Sequence, residues 1–135
     1  MEATDRSNQR LALADIAADS SGVKWIASGD VDTRELAHSL KELGARFITI
    51  TAYELPAHQG FCLEYLWDLK GQLIGFTVLP HEATVMSIFD ICEAADWIER
   101  EVHEEFALDF AGRTYEPLLL REGDRPGVNL HEVAP

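Results

Sequence analysis

The chain is poor in cysteine, in basic residues and in long apolar runs, and each shortage excludes a class of protein. Cys62 and Cys92 stand far apart without C-x-x-C spacing, which argues against a zinc knuckle or a redox pair. Two buried thiols in a reducing cytosol are expected instead. Lysine and arginine together number 11 against 24 acids, for a net charge of −13. Such a surface repels phosphate backbones, so sequence-independent nucleic-acid binding is not expected, and the acidity favours solubility or a basic protein partner. No stretch approaches the roughly 20 apolar residues of a membrane span. Residues 1–10 are polar and lack the apolar core of a secretory signal.

Recognisable catalytic motifs are missing as well. There is no G-x-S-x-G, no Walker A and no G-x-G-x-x-G. His103-Glu104-Glu105 is half of H-E-x-x-H, but position 107 is alanine, so a zinc protease is not expected. His38, His58, His81 and His131 read as surface or packing residues, with His81 beside Glu82 the most apt of them for a role. No catalytic residue, no metal and no cofactor is expected from this inventory.

What is present is an ordinary apolar share, 47% of 135 residues, enough for one domain with one core. Residues 1–22 read as a flexible N-terminal arm ending at Ser20-Ser21-Gly22. A first strand is expected at 23–27. Asp32 or Thr33 caps a helix that places Leu36, Leu40 and Leu43 on one face, and Gly44 closes it. Strands follow at 46–55, 61–69, 72–79 and 85–91. In 61–69, Phe61, Leu63, Tyr65, Trp67 and Leu69 alternate with Cys62, Glu64, Leu66 and Asp68, and Lys70-Gly71 signals a hairpin into 72–79. The three aromatics are expected to pack under helices rather than to stack on bases, and Glu64 and Asp68 to face solvent. A long helix is expected at 93–107. Beyond it Gly112, Pro117, Gly123, Pro126 and Gly127 forbid a long regular element, and Leu118-Leu119-Leu120 forms a short apolar clasp. The fold class is α+β: a single domain, 23–120, with an antiparallel four- to five-stranded sheet, helices packed on one face, and an extended tail at 121–135.

The second helix carries the functional argument. Ile91, Ala94, Ala95, Ile98, Val102 and Phe106 recur at three- and four-residue spacing and share a face. Glu101 lies on the border of that stripe and Glu105 projects into it. Burying Glu105 unpaired would cost several kcal/mol or force protonation. It must therefore reach solvent, a basic residue such as Arg113 or Arg121, or a partner's Arg or Lys. By pattern alone the helix is an interaction surface without a catalytic signature.

The run from Ala95 to Gly112 resembles the signature of the C subunit of respiratory complex I, the 30 kDa subunit. That family extends to related subunits of membrane-bound hydrogenases and formate hydrogenlyases. The matching residues are Ala95, Trp97, Glu99-Arg100-Glu101, Phe110 and Gly112, with Leu118–Leu120 after them and Ser87-Ile88 before. The likeness spans about 33–120. Glu105, Ala107 in place of a turn glycine, and Arg113 in place of a histidine depart from the pattern, and the family's long C-terminal segment is short or absent. The resemblance implies a non-catalytic accessory subunit with no cofactor. Its implied partner is the large, hydrogenase-like catalytic subunit, the D-type subunit of complex I, together with other subunits of the peripheral arm. It further implies a role supporting electron transfer to quinone or at a nickel–iron site. The implied location is cytoplasmic, on the inner face of the membrane through the complex. The implied interface is Trp97, Glu99, Arg100, Glu101, Glu104, Phe106, Gly112, Arg113, Leu118 and Leu119. The alternative is a free-standing regulatory or ligand-binding α+β module.

Overall fold

The computed structural model describes residues 13–27, 32–115 and 125–127. In chain order the elements are β1 (Val23–Trp25), α1 (Thr33–Glu42), β2 (Arg46–Glu54), β3 (Phe61–Leu69), β4 (Gln72–Val78), β5 (Thr84–Met86), α2 (Ala95–Phe106) and β6 (Asp109–Ala111). The α+β class is as expected.

Local chemistry accounts for most boundaries. The Asp32 carboxylate accepts from the Arg34 amide at 2.7 Å and starts α1, and Gly44 at φ 89° closes it. Lys70 and Gly71 both take left-handed φ, as a two-residue hairpin turn requires, and β3 pairs β4 from Leu69↔Gln72 outward. A bulge between Phe47 and Thr49 keeps β2 in register with β3, so Phe47, Ile50 and Ala52 lie opposite Trp67, Tyr65 and Leu63. That face, completed by Ile74 and Phe76, is the core under Leu36 and Leu40. Tyr65 stacks on Phe76 with centroids 4.9 Å apart, and Phe47 meets Trp67 edge-on at 5.3 Å. The aromatics of β3 are thus packing residues, fully enclosed in the case of Tyr65 and Trp67.

Three features differ from the sequence reading. The main sheet, in order β1-β4-β3-β2, is mixed rather than antiparallel throughout, because β1 joins β4 in parallel. The strand expected at 85–91 is only Thr84–Met86, and it leaves the main sheet to pair in parallel with β6. It stops because the Ile88 amide, which a longer strand would give to a neighbour, is taken by a side chain of α2, and the chain then turns with Cys92 N–H bonding Ile88 O at 2.8 Å. Of the arm expected at 1–22, residues 13–22 are described, and Leu13 is buried in the core. Leu118 and Leu119 lie outside the described residues.

On the sheet's other face β1 crosses close to Gly75. A Cβ there would stand 2.7 Å from Cζ3 of Trp25 and 3.2 Å from Cδ2 of Leu66. The Trp25 ring is tethered by its Nε1–H to the Asp19 carboxylate at 2.7 Å, so it does not swing aside freely. Gly75→Ala is expected to destabilise by about 1–3 kcal/mol through overpacking. Urea unfolding checks this, and an unchanged midpoint would mean that β1 yields easily.

Candidate functional site

Helix α2 is amphipathic, but its buried line runs through Ala95, Glu99 and Val102. Glu99 has 0% exposure. Its carboxylate accepts from Ser87 Oγ at 2.6 Å, from the Ile88 amide at 2.8 Å and from Arg113 Nη1 at 3.2 Å. Ser87 Oγ in turn accepts from the Phe89 amide at 3.1 Å. Burial pushes the Glu99 carboxyl above the ordinary range, and the Ser87, Ile88 and Arg113 donors pull the other way without cancelling it.

Arg113 is the second node. Its side chain is 7% exposed. Nη2 donates to the Asp96 carboxylate at 2.6 Å, Nη1 also reaches Asp96 O at 3.3 Å, and Nε donates to Thr114 O at 3.0 Å. The guanidinium lies 5.0 Å from the ring centroids of both Phe89 and Tyr115. One buried guanidinium therefore ties the start of α2, its middle and the segment after β6 together. Two bases of α1 hold the other side: Arg34 donates to Ser87 O and to both Asp90 oxygens at 2.7–2.8 Å, and Lys41 donates to Ile91 O at 2.7 Å. At the far end of α2, His103 Nδ1–H donates to Leu108 O (2.9 Å), and the ring stacks flat on Tyr115 at 3.7 Å.

The exposed side of α2 is different in kind. Trp97 is 58% exposed, with the Arg100 guanidinium 5.5 Å from its ring centroid. Arg100 also pairs with Asp96 at 3.6 Å, the i,i+4 pair expected from sequence, but the shorter Asp96 contact is with Arg113. Glu101 is partly exposed and Glu105 exposed, both on the Trp97 side of the helix. The Glu105 carboxyl is raised above its ordinary value, first by partial desolvation and then by the Glu101 charge. Arg113, one base open to Glu105 in the sequence reading, is engaged by Asp96 and Glu99 instead, and Glu105 faces the surface.

The ten residues assigned to an interface thus divide. Glu99, Glu104 and Arg113 are turned into the chain, Arg100 is mostly enclosed, Phe106 is half-buried and meets Phe61 edge-on at 5.4 Å, Trp97, Glu101 and Gly112 reach the surface, and Leu118 and Leu119 lie outside the described residues. The family resemblance assigned Glu99 to the partner interface, and the sequence reading did not identify Ser87 as its donor. The available signal was a glutamate in line with Ala95 and Val102, four and three residues away. Among the described residues no helix is long and apolar enough to cross a membrane.

A family model for the respiratory-chain NADH dehydrogenase 30 Kd subunit matches residues 28–130, well over half of the chain. The chain belongs to that 30 Kd subunit family. Comparison with curated protein sequences finds no match. Among solved structures, the trypsin-resistant fragment (1-134) of Nqo5 is 17% identical, with TM-score 0.61, covering 84% of this chain and 99% of that one. A chain of the membrane-bound sulfane sulfur reductase, an archaeal respiratory membrane complex, is 18% identical with TM-score 0.66, covering 90% of this chain and 77% of that one. At such identity the likeness is one of fold.

The left-handed residue that ends α2 gives a local test of the family pattern. Ala107 sits at φ 56°, where the 30 Kd subunit resemblance places glycine. An alanine there carries roughly 1 kcal/mol of backbone strain. Ala107→Gly is expected to stabilise the chain by about 0.5–1 kcal/mol despite the added unfolded-state entropy. A lower thermal midpoint in the variant would contradict this.

Proposed function

We propose that this 30 Kd-type chain is a non-catalytic accessory subunit that docks the large, hydrogenase-like catalytic subunit of a complex I-like dehydrogenase or membrane-bound hydrogenase. The observation that carries the reading is the contrast within α2. One side is locked by the Glu99–Arg113–Ser87 network, while the other leaves Trp97 58% exposed beside Arg100 and Glu101. An exposed tryptophan on a rigid helix is the kind of aromatic anchor that dominates protein interfaces. Family membership supports the same conclusion.

In this reading Trp97, Arg100, Glu101 and Gly112 form the contact surface, continued by Leu118 and Leu119. Glu99, Glu104, Phe106 and Arg113 set the helix in register beneath it. The chain contributes no cofactor, supports electron transfer by holding its partner, and sits peripherally on the cytoplasmic face of the membrane within the complex. The folded unit is 23–120 together with the preceding segment that puts Leu13 into its core, and a tail follows it. The test is affinity purification of the tagged full chain from its native host. Retention of a hydrogenase-like large subunit with other peripheral-arm subunits is expected. A chain that elutes alone as a monomer or homodimer would overturn the reading and favour a free-standing module.

A further inference from the structure

From the charge of the exposed α2 face we infer that the docking segment of the large subunit is basic, presenting two Lys or Arg side chains to Glu101 and Glu105 beside Trp97. The inference rests on the docking role proposed above and specifies its chemistry. Trp97, Glu101 and Glu105 follow one another at four-residue intervals, so they form a single row along the helix. Successive members are about 6 Å apart along the axis. Neither Glu101 nor Glu105 makes a hydrogen bond or an ion pair with any described residue. Two carboxylates four residues apart on a helix repel, and the Glu105 carboxyl is raised first by partial desolvation and then by the Glu101 charge.

Arg100 lies against the Trp97 ring and pairs with Asp96, and Arg113 is enclosed between Phe89, Tyr115, Asp96 and Glu99. Among the described residues, then, an aromatic ring and a pair of carboxylates without an ion-pair partner face outward. A second copy of the chain is a poor occupant, since it brings its own net charge of −13. Phosphate-bearing partners are repelled for the same reason. Two cations about 6 Å apart match i,i+4 positions on a partner helix, or i,i+2 positions on a partner strand.

The experiment uses the full chain and the large subunit of the same host, with affinity measured at low and at physiological salt. Glu101→Gln with Glu105→Gln is expected to weaken binding roughly 30-fold or more at low salt and to flatten the salt dependence. The same double variant is expected to melt at the wild-type temperature or above it, because the like-charge repulsion is gone. Loss of binding without loss of folding separates a docking role from a structural one. Trp97→Ala is expected to weaken binding while leaving the salt slope intact. Wild-type affinity in the Gln pair, or wild-type binding that is insensitive to salt, would overturn the inference while the docking role stands. A Gln pair that dimerises differently from wild type but binds the large subunit equally would assign the face to a second copy and also overturn it. Failure of the wild-type chain to retain any large subunit would remove the docking role and this inference together.

Discussion

Glu99→Ala is expected to lower the unfolding free energy by about 3–5 kcal/mol, the range for breaking a buried ion pair from one side. The substitution leaves the Ser87 hydroxyl and the Ile88 amide without their acceptor and leaves Arg113 with Asp96 and the Thr114 carbonyl. Each orphaned donor costs about 1–3 kcal/mol when water cannot reach it. For a domain near this size the melting temperature falls by roughly 10–20 °C. Thermal and urea unfolding of the purified chain measure both quantities. A change under about 1 kcal/mol would mean that the pocket opens and hydrates in solution.

Glu99→Gln separates charge from hydrogen bonding. The amide oxygen still accepts from Ile88, and the amide nitrogen donates to Ser87 Oγ, so the loss is smaller than for alanine. The folded carboxyl binds its proton more tightly than the unfolded one, because burial raises it above the model value of 4.5. The wild-type contribution is then fully present below the unfolded value. It declines as pH rises through the raised folded value, where ionisation costs folding free energy. Glutamine does not titrate. The deficit of the Gln variant relative to wild type should therefore shrink as pH rises from about 4.5 toward neutrality. A deficit that grows with pH would mean that the attraction of Arg113 outweighs desolvation.

Trp97→Ala is expected to act on assembly rather than folding. The ring is 58% exposed, and its visible partner is the Arg100 guanidinium at 5.5 Å. An exposed cation–π contact contributes about 0.5–1 kcal/mol, so the melting temperature should hardly move. If the ring anchors a partner, its truncation costs about 2 kcal/mol or more of binding, a roughly 30-fold rise in Kd. Titration of the large subunit into wild-type and variant chains gives the ratio. Equal affinities would remove Trp97 from the interface and shift attention to Gly112 and the segment after it.

These two residues are two positions apart and opposite in fate, which shows where local pattern stops being informative. A helical period reports which residues share a face, and it grouped the apolar positions of α2 correctly to within a turn. It puts Glu105 in the apolar stripe and says nothing of Glu99, which enters only through the family signature. The structure rotates the helix so that Glu99 lies on the buried line and Glu105 in water. The deciding groups are Ser87, 12 residues before Glu99, and Arg113, 14 residues after it. Neither lies within reach of a helical window.

Elements whose cause is local were legible in advance. Asp32 and Gly44 bound α1, Lys70-Gly71 joins β3 to β4, and the alternation of Leu63, Tyr65 and Trp67 marks the buried face of β3. The signature from Ala95 to Gly112 was legible too, and it pointed to the family to which the chain belongs. The tertiary structure alone decided that β1 pairs in parallel with β4, that β5 breaks off at Met86 to meet β6, and that Glu99 and Glu104 turn inward while Glu101 and Glu105 face outward. The physical reason is common to all three. Caps, turns and alternation are satisfied by neighbours in the chain, whereas a strand's partner and a carboxylate's burial depend on donors that only folding brings within hydrogen-bond reach.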